Sequence, residues 1–151
     1  MVTLVGRQEN FSDAIKALVE LDYDAIEAYE AAINRLKSEN YKSQLEKFKK
    51  DHQRHIKKLN ELLTEHGEDT INSPSSKQWL AKGKVVLGGL LDDTSILQAM
   101  RTNEEDTNVA YERVGSHKGK WEDANDILKD GLEDEKRHKK WLEDNGGTPS
   151  L

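Results

Sequence analysis

Six ionisable side chains in this 151-residue chain stand where apolar ones are called for. They are Asp22, His52, His55, Glu104, Glu135 and His138, each three or four residues from apolar neighbours on its own segment. His52 and His55 form one pair at i, i+3, and Glu135 and His138 form another. Side chains so spaced project from one side of a helix and can grip a single ion. Carboxylate and imidazole donors without thiolate suit iron, manganese or zinc. There is no cysteine, which excludes disulfides, thiolate nucleophiles and zinc–thiolate sites.

The segments that carry these residues read as four helices. Apolar residues recur at steps of three and four, the mark of a stripe buried against other helices. The first stripe runs Phe11, Ile15, Leu18, Ile26, Tyr29, Ile33, Leu36, with Asn10 or Ser12 as its cap. The second runs Tyr41, Leu45, Phe48, Leu59, Leu62 and stops at His66-Gly67, where Gly67 suits a left-handed C-terminal cap. The third is entered through Asp92, Asp93 and Thr94 and runs Leu97, Met100, Thr107, Tyr111, Val114. The fourth runs Trp121, Ala124, Leu128, Gly131, Leu142 and ends at Asn145-Gly-Gly with Pro149 beyond. No strand alternation is present. The expected boundaries are 12–37, 40–66, 93–117 and 120–145, with 1–151 forming one domain.

Short turns join the first helix to the second and the third to the fourth, so each pair is expected to be an antiparallel hairpin. The connection 67–92 is long enough to cross a bundle, and Pro74 followed by Ser75, Ser76 and Trp79 suggests a short helix within it. Trp79 would anchor that segment or meet a second copy. The fold expected is all-α, an antiparallel four-helix bundle of two hairpins with one long crossover.

The six interruptions share a level. The midpoint between Asp22 and the His52/His55 pair falls at Ser38, in the first turn, and that between Glu104 and the Glu135/His138 pair falls beside Gly119, in the second. Each hairpin thus sets one carboxylate opposite an i, i+3 pair. The hairpins also resemble each other. Ala28-Tyr29-Glu30 returns as Ala110-Tyr111-Glu112 after 82 residues, and Arg54-His55 as Arg137-His138 after 83, as expected of a duplicated unit.

Buried charge is costly unless it is paired or bound to metal. A shared cation explains six such groups at one depth. Plain His–carboxylate pairs, Asp22 with His55 and Glu104 with His138, are the alternative. Asp51 and Asp134 flank the clusters, and Asp51 replaces His52 as a ligand if the second helix is rotated. Tyr29 and Tyr111 either bond to ligands or simply fill the core. Gly131 leaves space for a small molecule or lets helices approach. Lys47, Lys49, Lys50 and the run Arg137 to Lys140 read as solvated faces, His138 aside.

Net charge is −6, from 23 basic and 29 acidic residues, and no basic cluster is free of acidic neighbours. Nucleic acid and anionic membrane are therefore not expected partners. No run has the length of a membrane span and the N-terminus lacks a secretory pattern, so the expected location is cytoplasmic. There is no Ser-His-Asp pattern and no phosphate-cradling loop. Homodimer or higher homo-oligomer is left open.

The pattern resembles the ferritin-like superfamily of di-iron carboxylate proteins, including rubrerythrin and bacterioferritin, and more closely a bacterial ferritin-like family of unknown function. That superfamily places Glu on the first helix, Glu-x-x-His on the second, Glu on the third and Glu-x-x-His on the fourth. Glu135-Lys-Arg-His138 matches the fourth element, Glu104 with Tyr111 the third, and Asp22 with Tyr29 the first, with Asp for Glu. His52-Gln-Arg-His55 departs from the second, because His52 stands where the superfamily has a Glu that bridges two metals. An imidazole does not bridge in the manner of a carboxylate, and Asp22 is one methylene shorter than Glu. The resemblance implies one or two iron ions (manganese or zinc in their place), with O2 or peroxide as co-substrate and ferroxidase or peroxide chemistry. A modified di-metal centre, a single-metal centre and a metal-free relic serving as a stress-related or interaction bundle all remain open.

Overall fold

The computed structural model describes residues 3–74 and 92–147. The short crossover helix with Trp79, and Pro149, lie outside them. The described residues are all-α, with four long helices and no strand. Helix α1 spans Phe11–Arg35, α2 Glu39–Glu65, α3 Asp93–Gly115 and α4 Asn125–Gly146.

Three of the four starts, those of α1, α2 and α3, are fixed by a side chain that satisfies a free backbone N–H of the first turn. Asn10 accepts from Ser12 N at 2.8 Å, Ser38 from Tyr41 N at 3.2 Å, and Asp92 from Ser95 N at 2.7 Å. Helix α1 stops at Arg35 because Leu36 turns extended. Helix α2 stops as expected at Gly67, whose φ of +71° lets Glu68 N reach back to Leu63 O at 2.8 Å. The fourth helix begins five residues later than expected. Trp121 is extended and a single 3-10 turn, Glu122–Ala124, precedes α4. The Trp121 indole packs edge-on against Phe11 and stacks on His66 at 3.7 Å, so this ring closes the end of the bundle and does not begin a helical stripe.

The two hairpins, α1–α2 and α3–α4, have the closest internal packing and meet mainly through α1 against α3, with α2 against α4. At one end Phe11 lies by His117 and Trp121, and His66 bonds Asp123 at 2.9 Å. At the other, Asp93 accepts from Lys37 N and Ser38 N at 2.8 and 2.9 Å. Thus α2 ends and α3 begins at opposite ends of the bundle, as a long crossover requires. Two apolar clusters fill the interior. One includes Ile15, Leu18, Leu59, Leu62 and Val114, and the other Ala32, Leu45, Phe48, Leu97 and Met100. At about 25 cal/mol per Å² of apolar surface removed from water, these clusters stabilise the bundle. Between them lies a polar layer.

Candidate metal centre

All six residues picked out by the pattern are in that layer, and none is more than 5 % exposed. Helix α1 contributes Asp22, α2 His52 and His55, α3 Glu104, and α4 Glu135 and His138. Each takes its place because it occupies a core position of its helix, so the packing that buries Leu18 or Leu59 carries it inward. Their ligand-type atoms fall into two groups, each confined within 4.8 Å: Asp22, His52, His55, Glu135 and His52, Glu104, Glu135, His138. His52 and Glu135 belong to both.

The Asp22–His55 and Glu104–His138 hydrogen bonds of the alternative reading do not form; each pair is in ion-pair contact at 3.5 Å. Asp22 Oδ1 instead accepts from His52 Nδ1 at 2.8 Å. His55 and His138 take partners from the opposite hairpin. His55 Nε2 donates to Asp134 at 2.9 Å, and His138 Nε2 to Asp51 at 2.7 Å. With Nε2 engaged by an aspartate, Nδ1 of each ring turns toward the centre. Neither Nδ1 makes a hydrogen bond, nor does either oxygen of Glu135, and all four atoms are buried. Buried polar atoms without a hydrogen bond are rare because desolvation is then poorly repaid; these four have only ion-pair contacts of 3.4–3.7 Å within the layer.

Arg54 and Arg137 cover the two aspartates. Arg54 bonds Asp51 at 2.9 Å and also Asp134, while Arg137 reaches both Asp51 and Asp134 at 2.9 Å. Arg137 is half exposed, yet it belongs to this square and not to a plain solvated face. The tyrosines also cross between hairpins. Tyr29 donates to Glu104, and Tyr111 donates to Asp22 Oδ2 at 2.7 Å. Thr107 Oγ1 bonds Glu104 Oε2 at 2.8 Å, and Asn108 Nδ2 ties the backbone of Glu104 to that of Glu135. Neither Thr107 nor Asn108 stands out by type. For the arginines a signal existed, since Asp51-x-x-Arg54 recurs as Asp134-x-x-Arg137 after 83 residues.

Besides Asp22 against Glu104 and His52 against Glu135, the halves differ at a packing position. Phe48 packs over His138 at 4.2 Å, whereas the residue 83 positions on is Gly131, against the Tyr111 ring. A side chain at Gly131 would collide with that ring, so close approach is why glycine stands there. Beside it a small cleft between Arg54, Lys58, Ile127 and Asp130 reaches His55 and Tyr111.

Charge is balanced among the groups. Burial acts to lower the His52 pKa, but Glu135, Asp22 and Glu104 outweigh it and raise the ring to about 9. His55 and His138 are likewise held up, at about 12 and about 11, against burial, by Asp134 and Asp22 and by Glu104 and Asp51. Burial works to raise Asp22 and Glu104, but hydrogen bonds and charge from the histidines keep both below the ordinary carboxylate range. Glu135 is pushed upward by burial and by Glu104 beside it. It is the acid whose charge is least provided for.

Residues 10–116 match the family model described as "Domain of unknown function (DUF2383)". The chain belongs to the DUF2383 family. The span shared with DUF2383 contains Asp22, His52, His55 and Glu104, while Glu135 and His138 lie past it on α4. No curated protein and no solved structure matches the chain.

Proposed function

We propose that this protein is a ferritin-like metal-binding bundle. Its single domain, residues 1–151, holds one or two iron ions on Asp22, His52, His55, Glu104, Glu135 and His138. Manganese and zinc suit the same donors. One observation carries the reading: four buried ligand-type atoms, Glu135 Oε1 and Oε2, His55 Nδ1 and His138 Nδ1, face one layer without a hydrogen bond. A layer built only to fix helix register would satisfy its members. The paired Nε2 atoms support it further, because metal-binding histidines characteristically donate the second ring N–H to a carboxylate.

Bound iron supplies one-electron chemistry toward O2 or peroxide. The protein's part is positional. Asp51 and Asp134 engage Nε2 of His138 and His55 and so aim Nδ1 of each at the layer, where a metal would displace the Nδ1 proton. Tyr111 and Thr107 hold Asp22 Oδ2 and Glu104 Oε2, which leaves Oδ1 and Oε1 turned inward, and Tyr29 donates to Glu104 Oε1 itself. The two apolar clusters exclude bulk water from both sides. The cleft beside Gly131 is wide enough only for small molecules and suits a co-substrate such as O2 or peroxide.

The test is metal analysis of untagged protein purified without chelator. Stoichiometric iron, manganese or zinc, lost in a Glu135→Ala/His138→Ala variant that keeps its helical circular dichroism, upholds the proposal. Metal-free wild-type protein that takes up none of these ions on reconstitution overturns it, in favour of a polar layer that only sets register.

A further inference from the structure

We infer that His52 ligates two metal ions at once, one through each ring nitrogen, and so takes by a different geometry the bridging place held by a carboxylate in related sites. This rests on the metal-binding reading above. The ring stands between the two groups of donors. Its Nδ1 lies 2.8 Å from Asp22 Oδ1 and 3.4 Å from Glu135 Oε1. Its Nε2 faces the other way, 3.4 Å from Glu104 Oε1.

The outer donors complete two sets. On the Nδ1 side, His55 Nδ1 lies 3.5 Å from Asp22 Oδ1 and 3.4 Å from Glu135 Oε1. On the Nε2 side, His138 Nδ1 lies 3.5 Å from Glu104 Oε1 and 3.7 Å from Glu135 Oε2. Each set therefore has two nitrogens and two oxygens, and Glu135 gives one oxygen to each. Four donors about 2.0–2.1 Å from a tetrahedral ion stand about 3.3–3.4 Å apart. Apart from the hydrogen-bonded Asp22–His52 contact, the separations are within a few tenths of an ångström of that spacing.

Charge agrees with this count. Asp22, Glu104 and Glu135 supply three negative charges against the four positive ones of two divalent ions. A ring bound through both nitrogens releases its N–H protons to solvent and carries one negative charge, which makes up the difference. His55 and His138 cannot act in this way, since each has its Nε2 engaged by an aspartate of the other hairpin. Among the three histidines of the layer, only His52 has both nitrogens directed at inner carboxylates.

Zinc is the probe, with the metal-free full-length protein titrated calorimetrically beside His52→Gln. Wild type is expected to take two zinc ions per chain in the core, and the substitution to weaken both by about tenfold or more, since each set loses a donor. If one ion keeps its wild-type affinity while the other weakens, or if wild type takes one, the inference is overturned. An anomalous-difference map of zinc-loaded wild-type crystals provides a check independent of the variant's folding. Two peaks flanking the ring, one against each nitrogen, support the bridge, and peaks that share a single nitrogen or leave one bare overturn it. Absence of any core zinc overturns the bridge and counts against metal binding itself, which separates the two failures.

Discussion

Asp51 sits on α2 one residue before His52, yet its Oδ2 accepts from His138 Nε2 of α4 at 2.7 Å. The same contact is made in reverse by Asp134 and His55 at 2.9 Å. Each hairpin thus orients the imidazole of the other, and Arg54 and Arg137 hold the two aspartates in place.

Removing such a partner should loosen the ligand without removing it. Asp51→Ala is expected to lower zinc affinity about 10–100-fold while leaving the number of bound ions unchanged. Calorimetric titration of metal-free protein measures both quantities. Unaltered affinity would show that His138 needs no orienting carboxylate.

The hydroxyl of Tyr111 is the donor to Asp22 Oδ2. Tyr111→Phe keeps the ring and removes that bond to a buried carboxylate, at a cost of about 1.5–3 kcal/mol in the metal-free protein. Urea denaturation reads this as a lower midpoint with an unchanged slope.

Gly131 is in contact with the Tyr111 ring. Gly131→Ala gains about 1 kcal/mol of helix propensity, but overpacking of this kind costs about 1–3 kcal/mol. The ring cannot retreat without giving up Asp22, so the cost should prevail. A lowered thermal midpoint is expected, and a raised one would show that the interface has slack.

Without metal, stability should fall at both pH extremes. Burial acts to raise Asp134, but His55 and Arg137 outweigh it and hold the group near 2, below its ordinary 3.8. The unfolded chain therefore takes up this proton first on acidification. Stability from Asp134 is present above about pH 4 and is lost as pH drops through about 2. His55 and His138 behave oppositely. Raised from 6.5 to about 12 and about 11, they give stability that is complete below 6.5 and declines as pH rises toward the folded values. Metal reverses that slope, because ligation must displace those protons and so strengthens with pH. Melting curves from pH 3 to 10, with and without zinc, check the crossing of the two trends.

The helices and the polar layer were legible because both are written in the three-and-four spacing. Asp22, His52, His55, Glu104, Glu135 and His138 interrupt apolar stripes, and a periodic stripe makes its interruptions conspicuous. The partners were less visible, since hydrogen bonds depend on how hairpins dock and which rotamers follow. Asp22 chose His52 over His55, and Thr107 looked like one more residue of a stripe. The spacing puts the start of α4 too early because Trp121 fits a helical stripe, while its indole is drawn to Phe11 and His66.

The crossed aspartates bear on what either half can be alone. An isolated α1–α2 piece carries His55 without its acceptor, and an isolated α3–α4 piece carries His138 without its own. Cutting the chain between them leaves two unfinished sockets, and only their reunion, or the pairing of one half with a copy of itself, would aim the imidazoles again.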